Sequence, residues 1–248
     1  MRDLDSTLRW PLETDGWAHT VLVGALLVAT VPLVVPGVLL AGYAVRLLRA
    51  EAGSLPAFTD LQSLTRTGLR ATGVVAAYHL PAAAPIAAGA AGLTSAYAGW
   101  RTALLVRPTS VLGAVDPTSL TAAAVAAVAG MALLPVCGYA ATVAVTAYAT
   151  SDDVAEAFAF GRIGRRVRSM ATLRAWLRAS LVAVGAGVCA AVLGTVATAV
   201  PGVGALLVAA VQFYGGLVAA AVWNAARPAE GATVDAPCAA ESTGADPA

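Results

Sequence analysis

Residues 18–45 read "AHTVLVGALLVATVPLVVPGVLLAGYAV", and how this stretch meets a bilayer decides the fold. It holds no Asp, Glu or Arg. As one helix rising about 1.5 Å per residue it would outreach a hydrocarbon core of about 30 Å. Pro32 and Pro36-Gly37 lie near its midpoint, where proline removes a backbone donor and kinks or breaks a helix. Two readings follow. One is a kinked first span. The other is a hairpin that dips into the bilayer and returns, with its unpaired backbone groups buried against protein.

The rest of the chain sets the class. Hydrophobic residues make up 59% of the 248 residues and charged residues 12%, against about 25% charged in soluble domains. Further apolar stretches run over 71–98, 118–149 and 179–226, and the last is split by Pro201-Gly202 at a turn. The expected fold is all-α: a polytopic transmembrane helix bundle of about five spans, near 18–45, 71–97, 119–149, 175–199 and 203–226. The hairpin at the first span is the alternative.

The flanks differ from this membrane domain. Residues 1–17 carry four acids and two arginines, unlike a basic signal-peptide leader, and Trp10 and Trp17 suit an interfacial segment. Residues 228–248 are small, polar and acidic, a composition that predicts a disordered tail. All 15 basic residues are arginine. In the five-span reading they split eleven to four across the membrane, and basic residues favour the cytoplasmic side. The C-terminus is therefore expected inside a cell membrane and the N-terminus outside; the hairpin would bring both inside.

Two linkers on the arginine-rich side look amphipathic. In "PAFTDLQSLTRTGL" (56–69), Thr59 and Gln62 have capping-box spacing, and Leu61, Leu64 and Leu69 fall on roughly one face with Phe58. Pro56 separates this short cytoplasmic helix from the first span. In the second linker Phe160, Ile163, Val167 and Met170 follow helical spacing, with the arginines elsewhere on the wheel. Gly42-Tyr43 and Gly138-Tyr139 precede the two linkers in the same order, which suggests an internal repeat.

Arg46, Arg49, Arg66, Arg70, Arg162, Arg165, Arg166 and Arg168 are the candidate contacts to anionic lipid headgroups. The bland reading is that they only hold these loops inside. Nucleic acid is not expected, because Asp152, Asp153 and Glu156 lie beside the second run. No catalytic, cofactor or metal residues are assigned. His19 and His79 are the only histidines and lack a carboxylate or cysteine at ligand spacing. Cys137, Cys189 and Cys238 are too far apart in sequence for a metal site. "GAGVCA" (185–190) matches a dinucleotide fingerprint in letters only, since no strand precedes it.

Several of these residues resemble a known family. Gly42-Tyr43-Ala44-Val45-Arg46-Leu47-Leu48-Arg49, Pro56-Ala57-Phe58-Thr59-Asp60, Gly68-Leu69-Arg70-Ala71 and Tyr78-His79-Leu80-Pro81 are similar to motifs of the domain of unknown function 4013 family, integral membrane proteins of archaea and bacteria. "AFAFGRIGRRVRS" (157–169) and residues 201–227 resemble its second half, so the likeness covers about 8–227. His79 departs from the apolar residue usual there. The resemblance brings no activity and no functional residues. The lack of lysine and the acidic tail resemble the composition of a salt-loving archaeon.

Three functions compete. The first is a non-enzymatic scaffold that organises lipid or a membrane-protein partner through its basic linkers. The second is a small transporter or channel, favoured by proline-broken spans and a repeat. An intramembrane enzyme ranks last, because no nucleophile and base pair is evident.

Overall fold

Residues 30–34 break the first apolar stretch. The computed structural model describes residues 4–14, 16–50, 54–106, 116–196 and 201–226. In it α1 (Leu4–Glu13) precedes α2 (Trp17–Ala29), a single 3-10 turn covers Val31–Leu33, and α3 begins at Val35 and ends at Arg49. Pro36 sits in the first turn of α3, where a missing donor and a fixed φ suit helix initiation. Val34 takes φ +65°, a costly conformation for a β-branched residue. At the end of α2 the Leu26 carbonyl accepts from both the Thr30 amide at 3.1 Å and the Thr30 hydroxyl at 2.7 Å. In lipid such partners are required.

Packing shows that the chain turns back at this break. A Cβ on Gly24 would overlap the ring of Phe213, and the ring of Tyr43 lies 5.7 Å from that same ring. In one continuous helix positions 24 and 43 would be about 28 Å apart. The expected span at 18–45 is thus not a single helix: α2 and α3 form the hairpin alternative. Val31, Leu33, Val34 and Val35 stay exposed at its tip.

The remaining long helices are α4 (Leu61–Val106), α5 (Pro117–Ser151), α8 (Met170–Val196) and α9 (Pro201–Ala226), with short α6 (Val154–Ala157) and α7 (Phe160–Val167) before α8. These four are long and apolar enough to cross a membrane. The chain is a multi-pass membrane protein, all-α among the described residues. The expected spans 71–97, 119–149 and 203–226 overlap α4, α5 and α9; the expected span 175–199 overlaps α8 to Val196, and 197–199 lie outside the described residues. The tail at 228–248 lies outside the described residues.

Small residues set the helix pairings. On α4 and α5, a Cβ on Gly89 would come 2.6 Å from the Ala123 carbonyl, and one on Gly130 would come 2.6 Å from Ile86. Gly215 of α9 lies against Ala186 of α8. The tightest approach joins α3 to α4, where a Cβ on Gly42 would strike the Leu64 carbonyl and one on Gly68 the Val38 carbonyl.

Both buried clusters lie toward the end where α3, α5 and α9 finish. One joins Val45, Ala71, Val74, Tyr148 and Trp223; the other joins Tyr43, Leu47, Leu64, Phe213 and Leu217. Asn224 donates to the Leu47 carbonyl at 3.2 Å. The buried indole N–H of Trp223 donates to the Thr146 hydroxyl at 3.0 Å and so ties α9 to α5. Thr146→Val would leave that donor unpaired, a loss of about 1–3 kcal/mol. Chemical unfolding followed by tryptophan emission measures it, and an unchanged midpoint would refute the pairing.

Two linker expectations change. Residues 61–70 are not a separate interfacial helix but the first turns of α4: no Pro interrupts 61–80, and Leu64 and Gly68 are held against α3. The residue at the start of α4 that accepts from its amides is Asp60, not Thr59: its carboxylate accepts from the Ser63 amide at 3.2 Å. The second linker does form a short helix, α7. Ile163 is buried there, but Phe160 is 70% exposed, and Met170, 66% exposed, belongs to α8 and not to α7, which stops at Val167. The two Gly-Tyr pairs also pack differently. Tyr43 stacks on Phe58 at 4.1 Å, whereas the Tyr139 hydroxyl donates to the Val167 carbonyl at 2.9 Å.

Candidate functional site

The arginines gather where the packed core lies. Of the described arginines, all but Arg101 belong to α1, the end of α3, the first turns of α4 and α8, or the α7 segment. This end is built by the segment leading from α3 into α4 and by α6–α7, which the α4 and α5 tyrosines anchor. The Tyr78 hydroxyl donates to the Ala157 carbonyl at 2.6 Å and Tyr139 to Val167. Phe158 stacks on Tyr78 at 6.0 Å. The short helices are therefore fixed to the bundle at the base of the basic segment.

The eight arginines singled out by sequence divide into two groups. Arg46 donates to the Thr59 carbonyl, to the Asp60 carbonyl at 3.0 Å and to the Ser63 hydroxyl at 3.4 Å, closing α3 onto the start of α4. Arg49 donates to the Ala149 carbonyl at 3.0 Å and to the Asp152 carboxylate at 2.7 Å, with its guanidinium 5.5 Å above the Tyr148 ring. Arg162 pairs with Glu156, and Arg166 is engaged within the chain too. Arg66, Arg70, Arg165 and Arg168 are exposed and have no partner among the described residues.

Half of the sequence candidates are thus tied up within the fold, and half remain open to a ligand. Sequence reasoning passed over Arg174 and Arg178, which are likewise exposed and have no partner among the described residues in the first turns of α8. Their spacing of four was the available signal, since it places both on one helix face. Charge here is net positive among the described residues, with ten arginines of α3, the first turns of α4, the α7 segment and α8 against four acids, Asp60, Asp152, Asp153 and Glu156; the acids are engaged by Arg49, Arg162 and backbone amides.

Other candidate chemistry resolves into local structure. His79 shares a hydrogen bond with the Val75 carbonyl of its own helix at 2.8 Å. Residues 185–190 are α-helical throughout. Cys137 is buried and Cys189 exposed. Among the described residues no three His, Cys, Asp or Glu side chains gather closely enough to hold a metal ion. At the opposite end Asp116 accepts from the Thr118 and Ser119 amides, which hold its carboxyl below the usual range and cap α5.

Against known proteins, residues 25–201 match the family described as protein of unknown function (DUF4013). No curated protein and no solved structure matches the chain.

Proposed function

We propose that this chain, which belongs to the DUF4013 family, is a non-enzymatic membrane scaffold whose arginine-rich end lies on the cytoplasmic face of the cell membrane and engages anionic lipid headgroups or an acidic membrane-protein partner. The observation that carries the reading is the set of exposed arginines without partners among the described residues, Arg66, Arg70, Arg165 and Arg168, at the end that holds the packed core. Basic residues near a membrane surface attract anionic lipid by about 1 kcal/mol each. The hairpin strengthens the orientation, because it moves α1 with Arg9 to the same side as the other basic segments.

Ligand bound only by the folded state raises its stability. Thermal unfolding in lipid nanodiscs should therefore move to higher temperature as phosphatidylglycerol replaces phosphatidylcholine. The shift should shrink in high salt and in the fourfold Arg→Gln variant at 66, 70, 165 and 168. An unfolding temperature indifferent to anionic lipid would overturn the headgroup reading.

Transport is the second reading, and one observation favours it. The interrupted α2–α3 hairpin resembles the broken helices that frame transport sites. It ranks lower because the described spans offer little polar chemistry beyond His79 and Gln212. Saturable solute uptake into proteoliposomes would reverse the order.

A further inference from the structure

Among the described residues, one face of α8 is exposed from Arg174 to Val192. Leu177, Leu181, Val184, Val188 and Val192 are between 52% and 74% exposed, and helical spacing puts them on one stripe with Arg174 and Arg178 at its head. A Cβ on Gly185, near the middle of the stripe, would meet nothing within 4 Å, so the surface there is slightly hollow. Trp176 packs on Tyr139 at 5.3 Å beside the arginine pair, the pattern of an aromatic residue at a membrane interface. Arg178 and Cys189 are about 16 Å apart along the helix, so one acyl chain hanging from the arginines would run past the cysteine.

We propose that this face is a binding site for one anionic phospholipid, with its phosphate held by Arg174 and Arg178 and an acyl chain lying along the valine and leucine stripe. The inference rests on the headgroup reading above but assigns a defined site outside the residues on which that reading stands. Three observations select the occupant. Neither arginine has a partner among the described residues. Guanidinium groups bind phosphate oxygens in pairs of parallel hydrogen bonds. A second copy docked here about a twofold axis along the membrane normal would bring four arginines together, and like charges at close range disfavour it.

The exposed Cys189 supplies a reporter. In the full chain with Cys137→Ala and Cys238→Ala, a fluorophore on Cys189 would be read in phosphatidylcholine vesicles containing a small fraction of lipid that carries a nitroxide on its acyl chain. The expected result is stronger quenching by nitroxide phosphatidylglycerol than by nitroxide phosphatidylcholine, with local enrichment of about thirtyfold from two basic residues at about 1 kcal/mol each near the surface. The excess should vanish in Arg174→Gln/Arg178→Gln and survive in the fourfold variant at 66, 70, 165 and 168. Equal quenching by the two lipids overturns the site. If anionic lipid still raises the unfolding temperature, the broader headgroup reading stands without it; if not, both fall. Quenching that depends on protein density instead of lipid type would also overturn it, in favour of a second copy on this face.

Discussion

Replacing Gly68 by alanine should destabilise the protein by about 3 kcal/mol, at the upper end of ordinary overpacking costs, while Gly73→Ala on the same helix should be neutral or stabilising. The contrast comes from what a methyl group meets. At 68 it falls on the Val38 carbonyl, a backbone atom that cannot swing aside, whereas at 73 it meets nothing within 4 Å. Alanine is otherwise the better helix former, by about 1 kcal/mol. Gly42→Ala should behave like Gly68→Ala, because it strikes the Leu64 carbonyl from the other side. Unfolding in mixed micelles reads the differences. Equal midpoints for the 68 and 73 variants would mean that α3 does not pack on α4 at this crossing.

Arg49→Ala should cost about 2–3 kcal/mol, the range for hydrogen bonds to charged groups, and Asp152→Ala less than about 1 kcal/mol. The ion pair between them is the exposed part of the arrangement, with side chains 33% and 73% accessible. Salt and water screen it, so its loss alone matters little. The larger share lies in the bond to the carbonyl of buried Ala149 and in the guanidinium above Tyr148. Arg49→Lys should fall between the two, because lysine keeps the charge but not the fork. Equal losses at 49 and 152 would assign the stability to the surface pair instead.

These arginines show where sequence reading stops. Helical class and the four long spans were legible, because a bilayer demands long apolar helices and few stretches satisfy it. Pro32, Pro36 and Gly37 marked the break in the first stretch. Its direction depended on Phe213, which lies far along the chain and receives both Gly24 and Tyr43. The start of α4 was misread because Thr59 and Gln62 have capping-box spacing, whereas the Asp60 carboxylate takes the Ser63 amide.

Which arginines serve the fold was equally hidden. Arg46 reaches carbonyls in the following loop, and Arg49 reaches one 100 residues away. Backbone acceptors leave no mark in side-chain patterns, so the eight candidates looked alike. The structure separates them by partner, and it adds Arg174 and Arg178 to those without one among the described residues.

The α2–α3 hairpin is the central structural claim, and sidedness tests it most directly. In a background with Cys137, Cys189 and Cys238 replaced by alanine, single cysteines would be placed at Ser6, Val106 and Ala225 and labelled with an impermeant thiol reagent from each side of sealed vesicles. A hairpin followed by four spans predicts that positions 6 and 225 react from the same side and position 106 from the other. Labelling of 6 and 225 from opposite sides would mean that residues 18–45 cross the membrane, and the hairpin would be wrong.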